Sequence, residues 1–314
     1  MVRNFLFYMM KPLLPRKFQL AVRRFVIERK MSLYQDVWPI DRDAGMVPLN
    51  WSGWPNKKRF AVVLTHDVEK PKGMERCFEL SYLEESKGFR SSFNFVPCRY
   101  KVSSSLRAYL SGKGFEIGVH DYKHDGKLFS SHKCFLRCVP LINHYLKEWN
   151  AVGFRAGAMH HNLEWIGKLN LKYDLSTFDT DPFEPQPDGV RTIFPFWVKT
   201  ESVSGGYVEL PYTLPQDFTV FVLLKEKTID IWKRKLDWVA ERGGMALVNS
   251  HPDYMHFGEG SPNFEEYSSE LYRKFLEYVE TKYSGQYWNA LPKEVAFFYG
   301  QNRTAETKIY KSVA

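Results

Sequence analysis

Short apolar runs alternate with stretches of helical periodicity from Phe60 onward, and this alternation is the strongest constraint on the fold of this 314-residue chain. The run 60–65 (FAVVLT) predicts a fully buried strand, and 75–87 predicts the helix that follows it. Strands that alternate with helices form parallel sheets, and a chain of this length has room to close such a sheet into a barrel. The sequence therefore predicts an α/β fold with a parallel, barrel-like sheet.

The other strands and helices are predicted from the same alternation of apolar runs and helical periodicity. Further strands are predicted at 92–96, 115–119, 151–154, 173–178 and 245–249. Further helices are predicted at 103–111, 129–149, 162–169, 227–241 and 264–283. Between 179 and 221 the pattern gives way to Pro, Gly and aromatic residues, which predicts long loops, with a hairpin among them, over the mouth of the barrel.

Composition limits the classes of function. A hydrophobic content of 44% is enough for a large core, so a disordered chain is excluded. The formal net charge of +8 favours an anionic partner such as a membrane surface, an acidic glycan or nucleic acid. No RNA-binding signature or zinc-finger spacing is present, so nucleic acid is not expected. The 4 cysteines are too few for a disulfide framework, and we expect them to be small buried apolar groups.

The N-terminal part of the chain is basic. We predict an N-terminal extension at 1–55, a barrel domain at 56–302 and a C-terminal tail at 303–314. Apolar residues alternate with Arg and Lys from 16 to 30, as in a basic amphipathic helix. Such a helix could lie on an anionic inner leaflet, or pack on the main domain or on another subunit, and the sequence leaves both open.

Targeting signals are weak. The apolar stretch 4–10 is broken by Lys11 and Pro12 and has no small-residue cleavage site, so it is a poor signal peptide. No run of 18 apolar residues is present, so no membrane span is predicted. We therefore expect a cytoplasmic protein, with the basic helix as a peripheral contact to the inner membrane face.

Polar side chains follow four of the predicted strands. Asp67, His120, Arg155 and His251 each come directly after an apolar run. The loops at the C-terminal ends of the strands build the active site of a parallel barrel. We therefore expect these four residues to meet at one rim.

A metal site is the clearest chemical prediction. The four-residue spacing of His120 and His124, on a helix or a tight loop, places both imidazoles on one side. Glu69 adds a carboxylate, which completes a facial triad for a divalent metal ion. Taken alone, a histidine pair is common on surfaces and in cores, and Asp67 could simply cap a helix. The positions after strands favour the metal site.

Three further residues suit hydrolytic chemistry. Asp67 could act as a base beside a metal-bound water, and Arg155 could hold it ionised through a bidentate contact. A surface ion pair is the alternative for Arg155. Pro252 confines His251 to an extended conformation, from which it could point into the rim as a general acid or accept a loop hydrogen bond. The combination suggests metal-assisted hydrolysis.

Together, these segments resemble the polysaccharide deacetylase family, the NodB-type carbohydrate esterases, over about residues 58 to 300. Thr65-His66-Asp67-Val68-Glu69 resembles a variant Asp-x-Asp form of the first motif, with Glu in place of the second Asp. The pair His120 and His124 resembles the second motif without its hydroxyl residue. Arg155-Ala156-Gly157 resembles the third motif without its proline. The segment 173–176 resembles a fourth, groove-lining segment, and 247–251 resembles the fifth motif.

The resemblance implies a fold and an activity. The fold would be a distorted (β/α) barrel with seven strands, of the polysaccharide deacetylase type. The activity would be the metal-dependent removal of N-acetyl groups from an amino sugar of a polysaccharide, glycolipid or precursor. The partner would be an N-acetylated saccharide, whereas the oligomeric state is not determined by the sequence.

The resemblance also implies roles for individual residues. Asp67 would be the catalytic base, His251 the acid that protonates the leaving group, and Arg155 the residue that holds Asp67. Glu69, His120 and His124 would bind a divalent metal, with zinc as the expected ion.

Two other functions stay open. A non-catalytic carbohydrate-binding protein or scaffold in polysaccharide biosynthesis would suit the departures in the first and third motifs. It would also suit the aromatic residues of the predicted loops: Phe194, Phe196, Trp197, Tyr207 and Tyr212. Some members of the family hydrolyse small cyclic amides without the usual metal site, although the intact histidine pair argues against this function.

Overall fold

The computed structural model describes residues 15–49, 51–201 and 205–302. The predicted tail at 303–314 and the apolar stretch at 4–10 lie outside these ranges. Within them, no helix combines the length and the apolar character that crossing a membrane requires.

The strands of the described ranges are β1 (Phe60–Val68), β2 (Ser91–Phe95), β3 (Glu116–His120), β4 (Gly153–Arg155), β5 (Tyr173–Asp174), β6 (Phe196–Lys199), β7 (Gly206–Glu209), β8 (Met245–Ser250), β9 (Met255–His256), β10 (Tyr267–Ser268) and β11 (Tyr287–Asn289). The α-helices are α1 (Arg16–Tyr34), α2 (Pro71–Glu75), α3 (Cys77–Ser86), α4 (Ser104–Gly112), α5 (His132–Glu148), α6 (Leu163–Ile166), α7 (Asp230–Arg242), α8 (Ser269–Tyr283) and α9 (Pro292–Asn302). A π-helical segment covers Phe218–Leu223.

Strand β1 is the centre of the sheet. It pairs in parallel with β2, β8 and, through its first three residues, β11. From β2 the parallel sheet continues through β3, β4 and β5 to β7, and β6 lies antiparallel to β7. A parallel bridge between Leu214 and Val248 brings the chain that follows β7 against β8. This order confirms the predicted distorted (β/α) barrel.

The sequence of β1 explains its central position. All nine of its residues are buried, because helices cover one face of the strand and the barrel interior covers the other. Alternate residues enter different cores, as the two-residue period of a strand requires. Phe60, Val62 and Leu64 pack in the larger core with the surrounding helices. Ala61 and Val63 pack in the smaller core, which also contains Met245 and Leu247 of β8 and apolar residues of α9.

Helix α1 packs on the barrel. Leu20 and Ile27 are buried in the larger core, and the Arg24 guanidinium donates hydrogen bonds of 3.2 and 2.9 Å to Val222 O. Of the two arrangements left open by the sequence, packing on the main domain is therefore observed. The outer face of α1 stays exposed, however, and it carries both apolar and charged side chains. The division of the chain at 55/56 stays a prediction.

The segment 179–221 contains the expected hairpin, formed by β6 and β7. The aromatic residues of this region are mostly structural, because Phe194, Phe196, Tyr207 and Tyr212 are each at most 5% exposed. They fill the core and are not displayed for carbohydrate binding. The sequence argument for a binding scaffold therefore loses one of its two supports.

Gly153 in β4 offers a test of the barrel packing. A Cβ atom at this position would lie 2.0 Å from Cζ of the buried Tyr173 ring, so alanine would displace the ring. We expect Gly153→Ala to lower the free energy of unfolding by about 1–3 kcal/mol. Gly112→Ala is the control, because a Cβ there meets nothing within 4 Å. Urea titrations should show a lower midpoint for Gly153→Ala alone, and equal midpoints for both variants would contradict this packing.

Candidate active site

A cavity of about 650 Å³ contains the predicted site residues. Asp67, Glu69, His120, His124 and His251 all line it. These residues come from the C-terminal ends of β1, β3 and β8 and from the loops that follow, because parallel strands present their carboxyl ends at one edge of the barrel. The expected convergence is therefore observed for Asp67, His120 and His251, whereas Arg155 does not line the cavity and reaches Asp67 from behind it.

The Asp67 carboxylate is held by three side chains. Its Oδ1 accepts hydrogen bonds of 3.1 Å from Asn94 Nδ2 and from Arg155 Nη1. Its Oδ2 accepts a 3.1 Å hydrogen bond from Asn249 Nδ2. Burial by itself would raise the pKa of Asp67. The positive charges of Arg155 and His251 outweigh this effect and hold the pKa well below its usual range.

Arg155 contacts Asp67 differently from the prediction. Its side chain is fully buried, so the alternative of a surface ion pair is wrong. The predicted bidentate contact is also wrong, because only Nη1 reaches Asp67. The same nitrogen donates to Thr65 Oγ1 at 2.9 Å and Asn249 Oδ1 at 2.5 Å, while Nε donates to Leu175 O at 3.0 Å. Arg155 thus distributes its donors over several strand ends.

The three predicted metal ligands lie together. Glu69, His120 and His124 each offer a ligand atom, and these atoms lie within 4.8 Å of one another. Glu69 Oε1 is 3.1 Å from His124 Nε2. Two ligands on a tetrahedral ion with bonds of about 2.05 Å are roughly 3.3 Å apart, so a modest rotation would complete the set. Within the described ranges His120 Nε2 is buried without a hydrogen-bond partner, as a free ligand atom would be, whereas His124 Nε2 faces the Glu69 carboxylate.

The outer contacts of the two histidines differ. His120 Nδ1 lies 3.1 Å from Arg155 O, which places the proton on Nδ1 and leaves Nε2 free to bind an ion. His124 Nδ1 instead lies 2.8 Å from Arg99 Nη1, which can only donate. His124 can bind an ion through Nε2 only if its proton moves to Nδ1 and Arg99 turns away. Arg99 is exposed and can do so. The three residues therefore fit a divalent cation once the contact between Arg99 and His124 is broken.

The segment between the two histidines is a tight loop. Asp121 and His124 adopt positive φ values of 55° and 54°, which are uncommon for residues other than glycine. This backbone brings the His120 and His124 ring centroids to 4.8 Å. Gly157 leaves room for the loop, since a Cβ there would lie 2.3 Å from Asp121 Oδ2 and 3.0 Å from His124 Cδ2. Gly157, the glycine of the third-motif segment, is therefore needed to make room for the loop between His120 and His124.

His251 is paired with an aspartate that the sequence did not single out. Its Nδ1 lies 2.7 Å from Asp217 Oδ1, and its backbone N–H donates to Asp217 Oδ2 at 2.8 Å. Burial alone would lower the pKa of His251, but the charge and hydrogen bond of Asp217 raise it to about 10. His251 is therefore protonated at neutral pH. Its backbone is extended, as predicted from Pro252, and its Nε2 lies 4.0 Å from Asp67 Oδ2.

Several residues that hold the site side chains in place were not predicted from the sequence. Asp217 lies in the region interpreted as loops, where a lone acidic residue near an apolar segment was the available signal. Asn94 and Asn249 lie inside strands that are otherwise mainly apolar, and a polar residue in such a strand was a usable signal. Asp253 accepts the Glu69 backbone N–H at 2.8 Å and had no signal beyond its proximity in sequence to His251.

One expectation from the resemblance is wrong. The segment 173–176 does not line the cavity. Tyr173 and Asp174 are fully buried in the barrel, and the Tyr173 hydroxyl donates to Glu116 Oε1 at 2.9 Å. The strand β5 ends short of the rim, so its side chains support the barrel interior.

Solved structures share this fold. A Mycobacterium smegmatis protein assigned as a polysaccharide deacetylase is 17% identical, with a TM-score of 0.62 over 86% of this chain and 100% of that chain. The Puue allantoinase is 13% identical, with a TM-score of 0.58 over 80% of this chain and 94% of that chain. A Pseudomonas aeruginosa PAO1 protein, also assigned as a polysaccharide deacetylase, is 14% identical, with a TM-score of 0.54 over 79% and 93%.

No family model and no curated protein matches the sequence. At these identities the structural likeness establishes the fold alone, which is the barrel of the polysaccharide deacetylases, and this expectation is confirmed. An allantoinase shares the same barrel, so the fold does not choose between substrates.

The pair of His251 and Asp217 makes stability depend on pH. The folded-state pKa of His251 is above its unfolded value of about 6.5, so the stabilisation by Asp217 is complete below pH 6.5 and is lost as the pH rises through about 10. We expect Asp217→Asn to lower the free energy of unfolding at pH 6 by roughly 3–5 kcal/mol, with a much smaller loss at pH 10.5.

Tyr267→Phe is the control for this test, because the Tyr267 hydroxyl donates to the same carboxylate at 2.9 Å but carries no charge. It should cost about 0.5–1.5 kcal/mol at both pH values. Denaturant titrations at the two pH values measure both variants. A pH-independent loss in Asp217→Asn would show that His251 is not held protonated.

Proposed function

We propose that this protein is a metal-dependent hydrolase that removes N-acetyl groups from an amino sugar of a polysaccharide, glycolipid or precursor. The observation that carries the proposal is the convergence, in one cavity, of an ionised carboxylate, a two-histidine carboxylate set and a protonated histidine. Amide hydrolysis needs a base, an electrophile and an acid, and these three groups match them.

The metal site of this proposal consists of Glu69, His120 and His124. Two imidazoles and one carboxylate suit zinc among the common divalent ions, and such a set leaves positions for water and substrate. When bound, the ion would lower the pKa of a water molecule and polarise the acetamide carbonyl. Zinc is therefore the proposed cofactor.

The protein's own residues would move the protons. Asp67, kept ionised by Arg155, would accept a proton as water adds to the carbonyl carbon. His251, kept protonated by Asp217, would give its proton to the amide nitrogen as the carbon–nitrogen bond breaks. The products are acetate and the free amine. The 4.0 Å between Asp67 Oδ2 and His251 Nε2 supports these roles, because both groups can reach one small reacting group at that separation.

The other candidates are weaker. The buried aromatic residues remove part of the case for a carbohydrate-binding scaffold. Hydrolysis of a small cyclic amide stays a candidate, because the allantoinase shares the fold. Acetate release from a panel of N-acetylated saccharides, with allantoin as a parallel substrate, tests the proposal. Turnover of allantoin but of no saccharide would overturn the proposal. Binding of saccharides without any turnover would also overturn it.

We expect purified wild-type protein to contain about one equivalent of zinc or another divalent metal. His120→Ala and Glu69→Gln should lose most of it and at least roughly 10²-fold in rate, because each removes a proposed ligand. His144→Ala is the control, since His144 is 67% exposed on α5 and pairs only with Glu148 among the described residues. Elemental analysis measures the metal content. Equal metal in wild type and His120→Ala would refute the site.

The proposal includes a location at the inner, cytoplasmic face of a membrane, reached through α1. Phe18, Phe25 and Leu33 on the outer face of α1 are 54%, 57% and 77% exposed. Lys17 and Arg29 lie among them and would favour anionic lipids. An apolar helix face with basic neighbours suits binding in the interfacial region of a bilayer.

We expect the protein to sediment with vesicles that contain phosphatidylglycerol, and Phe18→Ser/Phe25→Ser to bind them at least about 10-fold more weakly. The matched control is Phe78→Ser/Phe297→Ser, which removes two phenylalanines that are 48% and 68% exposed on other helices. Equal vesicle binding by the two double variants would contradict a role for α1.

A further inference from the structure

Helix α1 forms one wall of the cavity. Five of its residues line it at spacings of three or four, which places them on one helix face: Arg16, Gln19, Arg23, Val26 and Lys30. An ordinary surface helix turns its charged side chains to water. Here three cations line the cavity instead. The Arg23 guanidinium is held there 5.0 Å from the Phe218 ring centroid.

The cations of this wall are only partly neutralised. Arg16 forms an ion pair with Glu265. Lys30 Nζ donates to a backbone carbonyl, Pro182 O, at 3.4 Å. Within the described ranges no carboxylate lies within the 4.0 Å ion-pair distance of Lys30 Nζ. A positive charge at the inner face of α1 is therefore left for a bound molecule.

Two more cations line the cavity from other segments. Lys70 Nζ lies 5.8 Å from the Tyr254 ring centroid, and Arg99 donates to His124 Nδ1. Neither forms an ion pair with a carboxylate of the residues described here. Arg99 has to leave His124 before that histidine can bind an ion, and an anion in the cavity would give it another partner.

The lining holds five Arg or Lys residues but only three carboxylates, those of Asp67, Glu69 and Glu184. Asp67 is already matched by Arg155 behind the cavity, and Glu69 faces His124. Burial raises the pKa of Glu184, whose carboxylate accepts hydrogen bonds from Tyr212 and Gln216 and lies near the positive charge of Arg23. The cations without a carboxylate partner among the described residues are therefore Lys30, Lys70 and Arg99. A neutral acetamido sugar offers nothing that would use the remaining positive charge.

We propose that the substrate is an N-acetylated amino sugar that carries a phosphate or diphosphate group, and that Arg23 and Lys30 of α1, with Lys70 and Arg99, bind that group. The inference rests on the proposed deacetylase function and adds an anionic group to the proposed substrate. A phosphate suits this wall because its several oxygens and its charge can engage more than one Arg or Lys at once. The phosphate can belong to a lipid-linked or a nucleotide-linked sugar.

The first test is binding of inorganic pyrophosphate, measured by calorimetry on the full-length protein. Arg23→Gln/Lys30→Gln should weaken binding by roughly 10- to 100-fold, because each variant residue loses a charge-assisted contact. The control is Lys168→Gln/Lys172→Gln, which removes two exposed lysines that do not line the cavity. If the double variant on α1 does not fold, Lys30→Gln alone carries the test, with a smaller loss. Equal affinities in wild type and both double variants would overturn the proposal.

The second test uses acetate release from three N-acetylglucosamine derivatives: the neutral methyl glycoside, the nucleoside diphosphate sugar and a lipid diphosphate sugar. Arg23→Gln/Lys30→Gln should lower kcat/KM, mainly through a higher KM, by roughly 10-fold more for the two phosphorylated substrates than for the methyl glycoside, because only they lose a contact to a phosphate group. The lower KM of the two phosphorylated substrates identifies the source of the phosphate. Equal kcat/KM for all three substrates would overturn the proposed anion site but would leave the proposed deacetylase function intact. If Arg23→Gln/Lys30→Gln loses pyrophosphate binding but the wild type releases no acetate, the anion site is supported and the deacetylase function is refuted.

Discussion

The buried charge of Arg155 is the constraint on which the site depends. A guanidinium with no exposure to water is costly unless its donors are paired. Nη1 contacts Thr65 and Asp67 of β1 and Asn249 of β8, and Nε donates to the carbonyl of Leu175 after β5, while Nη2 has no hydrogen-bond partner among the described residues. These contacts hold several strand ends at one point. They also fix the Asp67 carboxylate and, through the carbonyl of Arg155, the tautomer of His120. The proposed base, Asp67, and the proposed metal ligand, His120, are therefore both held in place by Arg155.

The second property of the site is the separation of protonation states over a short distance. Asp67 and His251 come within 4.0 Å, yet Asp67 is held ionised and His251 protonated. The separation arises because each group faces a buried partner of opposite charge, Arg155 for the carboxylate and Asp217 for the imidazole. Two groups whose surroundings keep one ionised as a base and the other protonated as an acid suit a reaction that takes a proton at one atom and returns one at another.

Helix α1 has one face toward the cavity and one face toward solvent. Its inner face places cations in the cavity, and its outer face leaves aromatic and aliphatic side chains in water. Both faces have an explanation if the substrate is anionic and is met at a lipid surface. The proposals for the two faces are independent, because soluble phosphorylated probes test the inner face and vesicles test the outer face.

The sequence by itself determined the barrel and the residues that meet at its rim. Buried parallel strands produce continuous apolar runs such as 60–65, and the carboxyl ends of such strands must adjoin, so Asp67, His120, Arg155 and His251 could be grouped without coordinates. Only the tertiary structure decided which partners they have. Asp217, Asn94 and Asn249 contact them from segments distant in the chain, and Arg155 shares its donors in a way that no local pattern records. The same limit applies to the buried aromatic residues and to the inner face of α1, because the side of a segment that meets the core is set by what packs against it.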